Sequence, residues 1–215
     1  MDVLLDVLFR SLHVLFGITW IGLLYYFNFV QTEYFKVSEP SAKSDVVQKL
    51  VPNALWYFRY AALFTFVTGL YFLHKIGTGI QIEMILGALM GTLMFLNVWL
   101  IIWPNQKKVI AGAPDAAEAG AKAGLASRTN TLFSIPMLWF MVYSAHGQGI
   151  GPFIPVIPGN EQASLLSLWI GLVIILVIEL NAIFGKMNVA ITSVKAVIHS
   201  GILLAVILGS LSYCI

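Results

Sequence analysis

The chain has a single cysteine, Cys214, in 215 residues. A lone thiol excludes a disulfide framework, covalent haem attachment through Cys-x-x-Cys-His, and cysteine-ligated zinc or iron–sulfur clusters. Charge is equally scarce: 10% of residues are Asp, Glu, Lys or Arg, and the net charge is +2. Glycine-rich phosphate loops are missing, and so is any basic stripe interleaved with aromatics, so nucleotide and nucleic-acid chemistry are not expected. Serine hydrolase and metalloprotease signatures are absent as well. No internal repeat of the kind that builds secondary transporters is evident.

Apolar residues dominate what remains. The hydrophobic fraction is 59% and the mean hydropathy is +0.88, more apolar material than a soluble core of this length can bury. A hydrocarbon layer roughly 30 Å thick takes about 20 apolar residues per helical span. Runs of that kind lie at Val3 to Phe29, Leu55 to Lys75, Ile82 to Trp103, Thr131 to Ala145, Ser164 to Phe184 and Ala190 to Cys214. The fold expected is an all-α polytopic membrane bundle of about six transmembrane helices, a single domain over residues 1–215. Pro136 should kink the fourth span. The first run continues through Trp20, Tyr25 and Tyr26 without a small-residue cleavage site, so it is expected to be retained as a span.

Basic residues are unevenly shared between the two sets of span ends. Lys36, Lys43, Lys49, Arg59, Lys107, Lys108, Lys122, Arg128, Lys186 and Lys195 fall on one side, Arg10 and Lys75 on the other. By the positive-inside rule the richer side is cytoplasmic, which puts both termini outside, as in a multi-pass protein of a bacterial inner membrane. On the cytoplasmic side, Ser44 to Val51 reads as a short interfacial helix with Ser44 as its N-cap. An alanine-rich helix is expected to open at Pro114. On the outer side, the glycine and proline segment from Gly147 to Gly159 reads as a connector that can shape a docking surface or a pocket mouth.

The chemistry left to such a chain is that of imidazole. Counted from the outer start of the first span, His13 lies roughly 15 Å deep, and counted from Ala190, His199 lies about 14 Å from the other face. A titratable ring at such a depth is a functional-site hypothesis by default. Helical spacing places Arg10, His13, Gly17 and Trp20 on one stripe: a cation, an imidazole, a gap and an indole. Haem b needs neutral imidazoles at matching depth, clearance for the porphyrin and a cation near the propionates. His13 and His199 are the first candidate ligands, with clearance at Gly17 and Gly201 and with Arg10 a turn outward. His74 and His146, near the outer surface beside Lys75, form a second pair. One haem is expected, with two as the alternative.

Other polar groups have plainer readings. Glu179 is expected to pair with Lys186 or Arg59, and Asn97 and Asn130 to make polar contacts inside the bundle. Gly87 and Gly91 read as a close helix contact. Trp20, Trp99, Trp103 and Trp139 fit packing or an aromatic belt better than a redox role.

Three stretches carry a resemblance: Leu12-His13-Val-Leu-Phe-Gly17-Ile-Thr-Trp20-Ile-Gly22, Asn97-Val-Trp99-Leu-Ile-Ile-Trp103-Pro-Asn105-Gln106-Lys107, and Ser127-Arg128-Thr-Asn130-Thr-Leu-Phe-Ser-Ile-Pro136-Met. With them the chain resembles the membrane domain of the bacterial membrane-bound urate hydroxylases, the urate oxidase N-terminal domain family. That resemblance implies a membrane protein that oxidises a purine and passes electrons to a periplasmic cytochrome c. Members carry that cytochrome as a fused domain; this sequence has no Cys-x-x-Cys-His, so a separate cytochrome would have to serve. A non-catalytic accessory or assembly subunit of a larger membrane complex is the alternative.

Overall fold

A computed structural model describes residues 2–76, 80–146 and 161–214, and every element among them is helical. In chain order these are α1 (Asp2–Tyr25), a π-helical turn (Tyr26–Gln31), α2 (Thr32–Val37), α3 (Pro40–Asp45), a second π-helical turn (Val46–Leu50) and α4 (Val51–Ile76). Then follow α5 (Ile82–Leu96), a third π-helical turn (Asn97–Ile102), α6 (Trp103–Ile110), α7 (Ala116–His146), α8 (Glu161–Phe184) and α9 (Val194–Cys214). Long helical rods cover all six expected spans. Four of them, Val3–Val37, Ile82–Ile110, Leu165–Phe184 and Val194–Ser212, are long and apolar enough to cross a membrane. The other two, α4 and α7, are diluted by Tyr, Trp, Asn and Arg side chains. Large apolar side chains stay exposed along the rods, as at Val14, Leu15 and Ile18 of α1 and Val173, Leu176 and Val177 of α8. An apolar surface of this extent belongs in lipid, and the protein is a membrane helix bundle.

Several boundaries differ from the sequence expectation. No separate interfacial helix starts at Ser44: helix begins at Pro40, whose fixed φ suits the first helical position, and runs through the second π-helical turn into α4. The alanine-rich stretch is likewise no independent element but the first turns of α7, which continues through Pro136 to His146. The last helix begins at Val194 rather than Ala190. Ser193 Oγ accepts the N–H of Ala196 at 3.1 Å, an N-cap that ends the preceding turn. The outer connector from Gly147 to Gly159 lies outside the described residues.

The chain divides into two compact units, one of residues 1–71 and 95–130, the other of 72–94 and 131–215. In the first, α1 and α4 run antiparallel, joined by a ladder of rings. Phe9 stacks on Tyr71 at 4.1 Å, Phe16 on Phe64 at 4.9 Å, and Phe27 meets Phe58 edge-on at 5.6 Å. Phe66 stacks flat on Phe95 at 4.3 Å, tying α4 to the end of α5. Gly112, with φ of +62°, turns the chain between α6 and α7.

In the second unit, small residues let helices close on one another. A β-carbon at Gly87 would stand 3.2 Å from Phe140 Cβ, and one at Gly171 2.9 Å from Leu86. The close contact expected at Gly87 and Gly91 is therefore made, with α7 as its partner. Phe133, Phe140, Met90, Ile175 and Leu208 are fully buried around these contacts.

Candidate functional site

His13 is half-buried on α1, and its Nδ1 lies 2.8 Å from Thr68 Oγ1 on α4. Thr68 is itself buried and donates its one hydroxyl proton to its own helix, 2.7 Å from Phe64 O and 3.0 Å from Thr65 O. The hydroxyl can therefore only accept from the ring, so neutral His13 carries its proton on Nδ1 and its lone pair on Nε2. An imidazole fixed through one nitrogen by a partner behind it is the arrangement that orients histidine ligands toward iron or other metals. Gly69 keeps space beside the ring, since a β-carbon there would lie 3.4 Å from His13 Cε1. The residues of the first unit therefore fit an axial ligand at His13.

Other members of the expected stripe take separate places. Arg10 is largely exposed and lies 3.6 Å from Asp6 on its own helix, while Asp6 accepts the Tyr71 hydroxyl at 3.0 Å. Gly17 meets no atom within 4 Å of where a β-carbon would stand. Trp20 is buried at 2% exposure, and its indole N–H has no hydrogen-bond partner. In the second unit, His74, His146 and His199 are all exposed. Because α9 starts at Val194, His199 lies about 7.5 Å along it at 1.5 Å per residue, roughly half the depth that a start at Ala190 gives. Gly201 is occupied by protein: a β-carbon there would meet Ile135 Cδ1 at 2.7 Å and Leu132 O at 3.1 Å. Glu179 is buried in the same unit.

A second polar region in the first unit escaped sequence reasoning. Asn97 Nδ2 donates to Asn130 Oδ1 at 2.9 Å, as its position suggested. Asn28, not singled out from sequence, donates to Ser127 Oγ at 2.8 Å and to Leu24 O at 2.9 Å. Both asparagines sit on π-helical turns, and both reach the same turn of α7. Between their targets lies Arg128, 5% exposed, with no hydrogen-bond partner for Nη1. Arg59 is held differently: its guanidinium stacks on Trp103 at 3.8 Å and lies 5.0 Å from the Tyr60 ring. Among the described residues, no group of three or more His, Cys, Asp or Glu could hold a metal ion. A haem, which needs one or two imidazoles, requires no such group.

No curated protein and no solved structure matches the chain. A family model described as urate oxidase N-terminal matches residues 71–207. The match takes in the Trp-Pro-Asn-Gln-Lys and Ser-Arg-Thr-Asn stretches together with His74, His146 and His199, whereas His13 precedes it. With more than half its length matched, this membrane helix bundle belongs to the urate oxidase N-terminal family.

Proposed function

We propose that the chain is a redox protein of a bacterial inner membrane, with both termini outward, that binds haem b through His13. In this reading it takes electrons from a urate-type purine and passes them to a separate periplasmic c-type cytochrome. Family membership supports the purine, and the observation that carries the cofactor is the contact between His13 and Thr68. Haem b, when bound, would supply a one-electron iron couple of the kind a cytochrome can discharge. The chain's own residues then have definite tasks. Thr68 holds the ring and its tautomer, Gly69 leaves the approach open, and Gly17 leaves room one turn along the same helix. Trp20 presents an indole N–H with no other partner, and Arg10 offers a cation toward the outer end of α1. One imidazole suffices for five-coordinate iron. His199, His74 and His146 are each proposed as the second axial ligand, or as the pair for a second haem.

The test is a dithionite-reduced minus air-oxidised absorption spectrum of detergent-purified protein, repeated on His13→Ala. Sharp reduced α and Soret bands that disappear in H13A support the reading, and the same spectrum on alanine variants of the other three histidines assigns any second ligand. Colourless protein from haem-replete cells overturns it and leaves the accessory or assembly subunit of a larger membrane complex as the function. Co-purifying partners would then identify the complex.

A further inference from the structure

Six side-chain polar atoms of the first unit are buried without a hydrogen-bond partner. Four are N–H donors: Trp20 Nε1, Arg59 Nε, Trp99 Nε1 and Arg128 Nη1; Gln31 Oε1 and Ser38 Oγ complete the set. Donors in excess await acceptors from outside the chain. Arg128 is the sharpest case. A guanidinium withdrawn from water and left without a partner costs several kcal/mol, so a fold that keeps one has something for it to hold. Glu33 is the carboxylate whose charge acts on it, but Glu33 is bound to Lys36 at 2.7 Å and makes no hydrogen bond to Nη1.

The surroundings of Arg128 are built rather than incidental. Two π-helical turns, a conformation that is rare and concentrated at functional sites, each carry one asparagine to its turn of α7. Asn28 engages Ser127 on one side and Asn97 engages Asn130 on the other. The neighbouring amides are thus spent on fixing the turn, and the guanidinium between them keeps a free N–H. With 5% exposure it is closed to the headgroups of surrounding lipid.

We infer that the Ser127–Asn130 turn is an anion-recognition site in which Arg128 binds an oxygen of a small organic anion. Urate, a monoanion at neutral pH with several oxygen acceptors on a flat ring, is the member of that class the family points to. Its identity rests on the redox reading; the requirement for negative charge does not. Arg128 binds the ground state in this account and takes no part in electron transfer, which makes it a positioning residue for substrate.

The experiment is equilibrium binding, read by tryptophan fluorescence in nonionic detergent, with urate and with neutral hypoxanthine as probes. Wild type, R128K and R128Q are compared, and the reduced minus oxidised spectrum is recorded on each. Urate is expected to bind wild type at least tenfold tighter than hypoxanthine. R128Q should weaken urate by about 10 to 100-fold, the size of a lost charge-assisted hydrogen bond, and R128K by less, with hypoxanthine nearly unchanged. Folded R128Q that binds urate within twofold of wild type overturns the inference. So does wild type that binds neither probe or fails to distinguish them, a result that stands even if R128Q does not fold. Urate binding that depends on Arg128 in colourless protein would sink the haem reading and keep this one; an unchanged haem spectrum with Arg128-independent binding would do the reverse.

Discussion

Thr68 accepts the Nδ1–H of His13 because its own proton is already given to a backbone carbonyl one turn back in α4. This relay from Phe64 O through a hydroxyl to an imidazole fixes which ring nitrogen is basic without any charged group. It also ties α1 to α4 midway along both helices.

Thr68→Val keeps the shape and removes the acceptor. Hydrogen bonds inside membrane bundles contribute about 0.6 kcal/mol on average and up to about 1.7, so T68V should lower stability by about 1 kcal/mol while Thr68→Ser stays near wild type. Nitrogen-15 shifts of the His13 ring should move from a single Nδ1–H tautomer in wild type toward a mixture in T68V. An unchanged tautomer would mean that the backbone at Thr65, which also bonds the ring, suffices alone.

The pair Asn97 and Asn130 offers a cleaner energetic test. Both side chains are essentially inaccessible, and removing one leaves the other's polar atom short of a partner in a dry interior. Asn97→Ala and Asn130→Ala should each cost about 1 to 3 kcal/mol. The double variant should cost clearly less than their sum, with a coupling of about 0.5 to 1.5 kcal/mol measured by unfolding in mixed detergent. Additive losses would show that the two amides do not act as a pair.

Much of the bundle was legible because lipid makes hydropathy a strong signal. Each expected span from Val3 to Cys214 falls on a helical rod. Boundaries were less legible where local cues compete: Pro40 outranks Ser44 as a start, and Ser193 caps α9 later than its apolar content suggests. The three π-helical turns left no trace in periodicity, since one added residue per turn disturbs a 3.6 pattern too little to read. His13 stood out as an imidazole deep in an apolar run. Its partner Thr68 did not, because a threonine in a helix is ordinary until the opposite helix is known. Arg128 was counted only as a cytoplasmic charge; its burial arises from the packing of Asn28 and Asn97 around one turn of α7, which no single segment encodes.

Outside the membrane, the start of α7 carries two ion pairs. Lys108 bonds Asp115 at 2.6 Å and Lys122 bonds Glu118 at 2.8 Å, and these hydrogen bonds hold both carboxyls below their usual values. A depressed carboxyl contributes stability that is present above its unfolded-state value and is lost as pH falls through the folded one. Both groups are fully exposed, so the effect is local and screened by salt. Amide exchange over residues 116–120 should therefore rise relative to base-corrected rates on acidification below the ordinary carboxylate range, and Asp115→Asn should reproduce this at neutral pH. The unfolding midpoint of the whole bundle should not move with D115N.

Gly201 and Gly17 separate packing from cofactor clearance. Pro136 has no N–H for the carbonyl of Leu132, four residues earlier, and Gly201 lies against that same carbonyl, where a β-carbon would come within 3.1 Å of the oxygen and 2.7 Å of Ile135. Ile135 can rotate away; the backbone oxygen cannot, so Gly201→Ala should cost about 1 to 3 kcal/mol whatever the protein binds. Gly17→Ala meets no atom of the chain and should leave the stability of apoprotein within about 0.5 kcal/mol. If the gap at Gly17 receives a porphyrin, G17A and above all Gly17→Leu will lower haem occupancy or shift the Soret band while the apoprotein unfolds as wild type. A full haem complement in Gly17→Leu would instead show that this face of α1 meets only lipid.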